Sequence, residues 1–526
     1  MTWYENAVFY HIYPLGLTGA PRENDYGWPV HRLNGLVPWI SHIRDLGCTA
    51  LYIGPLFQSV GHGYETTDYR MVDSRLGTNE DLTDFVRKCH GAGIRVILDA
   101  VFNHTGRDFF AYRDLREHRE YSRYRDWYCR VNFSGNNEFG DGFSCENWGG
   151  YDLLAKLNLR NPEVRDYHLE TVRFWKEQFD IDGLRLDAAD VLDFDFMRAL
   201  RNMTREWPEF FLLGEVIHGD YVRWANGETL HAVTNYHLHK ALYSGHNDRN
   251  FFEIAHTVRR QKDMGLTNGG KLYNFVDNHD VERIASKLRN RQHLMPVSVL
   301  LYALPGIPSI YYGSEFGIQG KKERWSDESL RPYLDLDELL RQGNPLLPVI
   351  RALGRVYGEE PALRYGEYRE LILTNTAYAF ARGDVLVTVN CADGPADFDL
   401  PGNGLYRGSL MGQEACEQGG RIHVRIPGNS GEIWIPQQPG RERCVPAEPV
   451  TPIVLQTNSN AAETQADAEP PRRAEGKSYE EMDVSELQAE ILAKLAALGP
   501  VTERMRQEVS ENVYRNSLLN WVRSFR

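Results

Sequence analysis

Eight short runs rich in β-branched and aromatic residues recur along the chain, at 8–13, 49–54, 96–102, 183–187, 211–215, 232–236, 273–276 and 309–312. Runs of this kind read as strands. Between most of them lie stretches whose apolar residues return at helical spacing. In 162–179, Val164, Tyr167, His168, Thr171, Val172, Trp175 and Phe179 fall on one face. Asn161 supplies an N-cap, Pro162 suits the first helical position, and Glu163 suits the positive end of the helix dipole. Strands that alternate with helices are parallel strands joined by crossovers, and such strands must be covered on both faces. Eight such units predict a (β/α)8 TIM barrel, with a doubly wound open sheet as the alternative. The GxGxxG fingerprint and the P-loop are both absent from the sequence, so nothing supports a nucleotide site.

Strand spacing locates the remaining parts. Asp187 to Glu215 is 28 residues, one βα unit, but Asp99 to Asp187 is 88. The excess is rich in Arg, Tyr, Asn and Gly, and predicts a subdomain at 104–155 inserted after the third strand. The barrel then occupies 1–103 and 156–357. Six short strands at 371–376, 378–382, 385–390, 404–409, 421–426 and 431–435 predict a small all-β domain over 358–436. Residues 436–476 hold seven of the 25 prolines, so 437–476 reads as a flexible linker. The tail, 477–526, predicts two helices. The first carries Val484, Leu487, Ile491, Leu492, Leu495 and Leu498 behind Asp483 and Glu486, and the second spans 502–525. A single apolar face per helix needs a partner, either the chain's own barrel or a second copy in a homodimer.

Charge narrows the choice of partner. With 73 acidic and 59 basic residues the net charge is −14, which disfavours a phosphate backbone, so no nucleic-acid partner is expected. The longest apolar runs are interrupted by Ser, Tyr, Pro and Gly, so no membrane span is expected. The opening MTWYENAVFYHIYPLG has no basic region and does not read as a signal peptide. Seven scattered cysteines, with no CxxC, fit neither a disulfide framework nor a thiolate zinc site. A cytoplasmic location follows as the expectation.

Four polar clusters stand at the ends of predicted strands: Asp99, Asn103 and His104; Arg185 and Asp187; Glu215; and Asn278, His279 and Asp280. In a barrel the strand C-termini converge on one mouth, so these residues would share a pocket. Arg185 alternates with Asp187, which turns both side chains to one side of the strand. Structural ion pairing would account for those two but not for Glu215 and Asp280. A divalent metal is a rival reading, opposed by the fixed positive charge of Arg185. Carboxylate pairs across a neutral pocket suit glycoside hydrolysis, in which one ionised carboxylate attacks and one protonated carboxyl donates. Arg185 is expected to lower the pKa of Asp187 and keep it ionised.

The segments DAVFNH (99–104), GLRLDAAD (183–190), GEV (214–216), FVDNHD (275–280) and GIPSIYYGSE (306–315) together resemble the α-amylase family of glycoside hydrolases over about residues 3–436. The resemblance implies Asp187 as nucleophile, Glu215 as general acid/base and Asp280 as transition-state stabiliser. It implies sugar contacts from Arg185, His104 and His279, with Asn278 beside them and Tyr64, in HGYETTDY, stacking on the sugar. It implies a mainly structural Asp99, a domain B at the insertion and a β-sandwich domain C. Trp148 is a further candidate for stacking, or packs the insertion. LAKLNLRNPEV (154–164) is similar to a motif of the neopullulanase, cyclomaltodextrinase and maltogenic amylase branch. The implied activity is hydrolysis of α-1,4 bonds in maltooligosaccharides or cyclomaltodextrins. A transglycosylase or isomerase on the same fold, and a non-catalytic binding subunit, are the alternatives. No organic cofactor is implied. Asn103 matches a calcium ligand of many secreted members, whose companion histidine is replaced here by Val191, so calcium stays open.

Overall fold

The computed structural model describes residues 2–323, 326–437, 484–498 and 509. Eight parallel strands close into a barrel: β1 (Phe9–Ile12), β2 (Ala50–Ile53), β3 (Arg95–Ala100), β4 (Gly183–Leu186), β5 (Phe211–Gly214), β6 (Ala232–Thr234), β7 (Leu272–Asn274) and β8 (Ile307–Tyr311). Each pairs with its sequence neighbours, and β8 closes on β1 with Ser309 opposite Phe9. All eight lie within or beside the runs read from the sequence, and the open sheet is excluded. The strands are apolar almost throughout because every face is covered. Phe9, Tyr52, Ile97, Phe211, Leu213 and Tyr273 fill the barrel interior.

The helix Pro162–Phe179 forms as its sequence prescribes. Asn161 Oδ1 accepts the Glu163 N–H at 2.9 Å, and Val164, His168, Thr171, Val172, Trp175 and Phe179 are buried. After β2, the strands Phe57–Ser59 and Thr66–Val72 form a hairpin whose loop carries Tyr64.

Tyr128–Lys156 belongs to a second compact unit, which also contains the helix Val484–Leu498. Its strands Asn147–Trp148 and Tyr151–Lys156 are antiparallel, and Asn132 and Ser144 exchange backbone hydrogen bonds at 2.8 and 3.0 Å. Residues 104–127, expected in the same insertion, belong instead to the unit of the barrel. The reason is aromatic packing: Phe109 lies 5.6 Å from Tyr69, and Trp127 lies 5.7 Å from Tyr167, ring centre to ring centre.

The C-terminal domain contains eight antiparallel strands rather than six: β9 (Tyr368–Leu373), β10 (Ala377–Arg382), β11 (Val385–Asn390), β12 (Ala396–Pro401), β13 (Leu405–Gly408), β14 (Glu414–Gln418), β15 (Arg421–Ile426) and β16 (Ser430–Gln437). They form one array in the order β9-β10-β11-β16-β13-β14-β15-β12 around Phe398, Leu400, Ile422, Val424 and Trp434. Of the two strands missing from the sequence reading, β14 (EACEQ) is mostly Glu and Gln, and β12 (ADFDLP) carries two Asp and ends on Pro. In β12 Phe398 and Leu400 are buried in the core with Ala396 packed beside them, so tertiary burial overrides weak local propensity.

In the tail, Val484–Leu498 is helical, and Leu487 and Ile491 are buried within the chain. Asp483, the expected linker 437–476 (Gln437 apart) and nearly all of the second helix lie outside the described residues. Among the described residues no helix is long and apolar enough to cross a membrane.

Candidate active site

The polar clusters do meet at the mouth, and Arg185 is their hub. It stands on β4, buried, with its guanidinium 5.8 Å from the centre of the Tyr52 ring. Nη1 donates at 2.8 Å to Asp99 Oδ1 and at 2.8 Å to Asp187 Oδ1, while Nη2 lies 2.8 Å from Glu215 Oε1. β4 and β5 end one residue before Asp187 and Glu215, so each carboxylate leaves its strand where the barrel opens. Asp99 is the anchor on the far side. Its Oδ2 accepts the hydroxyls of Tyr52 and Tyr64, each at 3.0 Å.

Glu215 is held by two further donors. The Ala188 N–H reaches Oε2 at 3.0 Å and the Tyr236 hydroxyl reaches Oε1 at 3.3 Å. Ala188 lies in the left-handed region, φ 46°, immediately after Asp187. Strain of this kind persists where the surrounding structure fixes it. Burial is the largest influence on both carboxyls and pushes each upward, Asp187 strongly. Arg185 opposes the shift, and the other carboxylates add to it. Arg185 lowers Asp187 as expected, but not by enough to keep it in the ordinary carboxylate range, and that part of the expectation is corrected. One guanidinium shared among three buried carboxylates does not offset their desolvation. The pair holds on to protons, and its titration belongs to the pair rather than to either residue.

Asp280 behaves in the opposite way. Burial would raise it, but the His279 ring, charged in the acid range where Asp280 titrates, acts with Arg331 and Arg185 to hold it well below the usual carboxylate range. Arg331 Nη2 donates to Asp280 Oδ1 at 3.0 Å, and Arg331 Nε donates to the His279 carbonyl at 2.9 Å. His279 Nε2 is 3.1 Å from Asp280 Oδ2 and also meets the Tyr64 hydroxyl. The Tyr64 and His279 rings stack, 5.6 Å between centres. Asn278 braces this turn: Oδ1 accepts the N–H groups of Asp280 and Val281, and Nδ2 donates to Tyr236 at 3.2 Å.

Burial lowers His104 and His279 to about 3, so both rings are neutral near pH 7. His104 Nε2 and His279 Nδ1 are buried without a hydrogen-bond partner among the described residues. Unpaired buried polar atoms of this kind are costly unless something else, such as a ligand hydroxyl, satisfies them. A cavity of about 20 Å³ continues into the barrel beneath Arg185, Glu215 and His279, lined also by His11, Thr234 and Ser309.

Tyr64, Asp99, Arg185, Asp187, Glu215, Asn278, His279 and Asp280 are thus linked in one network, with Asn103 and His104 at the end of β3. Trp148 is in the second compact unit, paired with Tyr151 and half-buried. Asn103 turns its amide nitrogen toward His104 Nδ1 at 3.2 Å, and Val191 has no side-chain ligand atom. Among the described residues, no three His, Cys, Asp or Glu side chains gather into a metal site. Sequence reasoning missed Tyr236 and Arg331. Tyr236 follows β6 directly and was legible as a strand-end polar residue. Arg331 sits 51 residues after Asp280 in an irregular segment, with no local signal.

This constellation can be compared with known proteins. A family model described as the α-amylase catalytic domain matches residues 23–337. The chain belongs to the α-amylase family of glycoside hydrolases. Among curated α-amylase-family relatives, the cyclomaltodextrinase of Thermoanaerobacter pseudethanolicus is 30% identical over 406 residues, 72% of this chain and 68% of the relative. Neopullulanase 2 of Thermoactinomyces vulgaris is 32% identical over 413 residues, again 72% and 68%. A solved structure named Cyclomaltodextrinase superimposes with TM-score 0.74 at 26% identity, covering 82% of this chain and 78% of that one. The chain spans about two thirds of the length of these curated relatives.

Proposed function

We propose that the protein is a retaining α-glucan hydrolase cleaving α-1,4 bonds in maltooligosaccharides or cyclomaltodextrins. The observation that carries this reading is the bridge from one guanidinium to both Asp187 and Glu215, each at 2.8 Å, with the ionised Asp280 beside them. Because the buried pair retains protons, one carboxyl can be charged while the other is an acid. With the pair's proton on Glu215, Asp187 attacks the anomeric carbon, and Glu215 passes that proton to the departing glycosidic oxygen. The Glu215 carboxylate then takes a proton from water, whose oxygen displaces Asp187 from the sugar. Asp280, tied down by Arg331, accepts sugar hydroxyls as the ring flattens and charge develops. His104 and His279 offer their unpaired ring nitrogens to the same sugar. The names of the relatives support the substrate class.

The test is digestion of linear maltooligosaccharides, cyclodextrins, pullulan and panose, with the anomer of the first-formed product followed by NMR. The α-anomer is expected, and an initial β-anomer overturns retention. Predominant sugar transfer to acceptors instead of release to water would favour the transglycosylase reading.

We also propose a cytoplasmic location and, for the tail, a second copy as partner. Buried thiols such as Cys48, Cys89 and Cys391 fit a reducing compartment. Against self-association stands the burial of Leu487 and Ile491 within the single chain.

A further inference from the structure

Trp28 is 95% exposed, the most exposed of the large apolar side chains among the described residues. It lies in the loop that leaves β1 at the barrel mouth, between Gly27 and Pro29, with exposed Tyr26 and Val30 nearby. The loop is nevertheless pinned. The buried Arg75 donates through Nη1 to the carbonyls of Pro21, Arg22 and Gly61. Asn24 N–H reaches the Val60 carbonyl at 2.9 Å, and Val30 N–H reaches the Ser74 carbonyl at 2.8 Å. Tyr26 adopts a left-handed φ of 54°, which a bulky residue keeps only when its surroundings hold it there. An exposed tryptophan on a mobile loop needs no explanation. One presented on a braced, strained loop is preorganised for a ligand.

The neighbours of the loop say where that ligand runs. On one side it is tied to 58–75, the hairpin that carries Tyr64. On the other, Arg22 pairs with Glu328 at 3.6 Å, and the Tyr333 ring, 62% exposed, lies against Gly19. Glu328 and Tyr333 flank Arg331, the residue that grips Asp280. The loop therefore borders the Tyr64–His279–Asp280 side of the site, the side on which the cleaved residue is read to sit. A sugar chain extending that way is the donor side of the substrate.

Resting on the α-glucan reading above, we infer that Trp28 and Tyr333 form a distal donor-side platform on which glucose units beyond the cleaved residue stack. The C–H face of a pyranose ring is apolar and lies flat on an aromatic face, and Tyr and Trp give such contacts at low conformational cost.

The experiment compares kcat/KM on maltotriose through maltoheptaose for the full-length chain and for Trp28→Ala, Tyr333→Ala and Trp28→Phe. The expected result for Trp28→Ala is a loss of about tenfold on the longest substrates and little change on maltotriose. Tyr333→Ala should act in the same direction, Trp28→Phe should retain most of the gain with length, and the melting temperature should not move. A loss that is equal at every chain length, or absent at all of them, overturns the platform. So does a drop in oligomer mass on light scattering for Trp28→Ala, which would make the patch a contact between copies. If the unmodified protein cleaves no α-glucan at all, the functional reading fails rather than this inference.

Discussion

Arg185 offers one positive charge to Asp99, Asp187 and Glu215, and that imbalance governs the site at the scale of single residues. A carboxyl whose folded pKa is raised contributes stability that is present below its unfolded value and lost as pH rises through the folded one. Asp187 and Glu215 are both raised, by burial first. Removing either charge should therefore stabilise the fold at high pH. Thermal melts of Glu215→Gln should exceed those of the unmodified protein at pH 8, with the gap closing as pH falls toward the ordinary carboxyl range of about 4. A constant or inverted gap would show that the pair is not strained by its charge. Asp187→Asn should lower kcat by roughly 10³-fold or more with little change in binding, because only the transition state uses that charge. In Glu215→Gln, single-turnover cleavage of aryl glycosides, whose leaving groups need no proton, should suffer far less than that of glucans. Equal losses for the two substrates would remove Glu215 from the acid role.

Strand ends set the positions of these groups, so the element scale makes its own demands. β2 runs into Gly54, where a side chain would overlap Asp99 Cβ and stand 3.0 Å from the Asp99 backbone nitrogen. Glycine is required there because β2 and β3 approach so closely at the mouth. Gly54→Ala should displace Asp99, loosen Arg185 and cost about 1–3 kcal/mol in denaturant melts. Activity should fall with stability, and a variant that melts normally would place the strain elsewhere. The segment after β8 has a comparable part, since Arg331 is what keeps Asp280 ionised from the loop side. Arg331→Met should raise the Asp280 pKa, read by NMR titration of its carboxyl carbon, because losing a cation favours the protonated form. An unmoved Asp280 titration would count against that pairing.

At the scale of the whole molecule, barrel and C-terminal domain bury separate cores, and no described residue of the tail belongs to the network around Arg185. A chain ending near residue 440 should keep its kcat on maltooligosaccharides. If the tail joins two copies, light scattering of the shortened chain should give half the mass beyond the deletion. An unchanged oligomer would place the tail on its own chain, in line with buried Leu487 and Ile491.

The periodicity of strands and helices was enough to predict the barrel, because parallel strands buried on both faces leave a continuous apolar record in the sequence. Asp99, Asp187, Glu215 and Asp280 were legible for a related reason: a charged residue just after such a run has only the mouth to occupy. What only the tertiary structure decided depends on sums over distant residues. The proton balance of Asp187 and Glu215 follows from total burial against one shared cation, which spacing along the chain does not encode. Arg331 reaches Asp280 from an irregular segment, and β12 and β14 are strands only because their partners bury one face. The placement of 104–127 with the barrel came from aromatic packing against Tyr69 and Tyr167, contacts between residues far apart in sequence. Local pattern fixes what each segment can become, whereas charge and burial are settled by what the fold brings beside it.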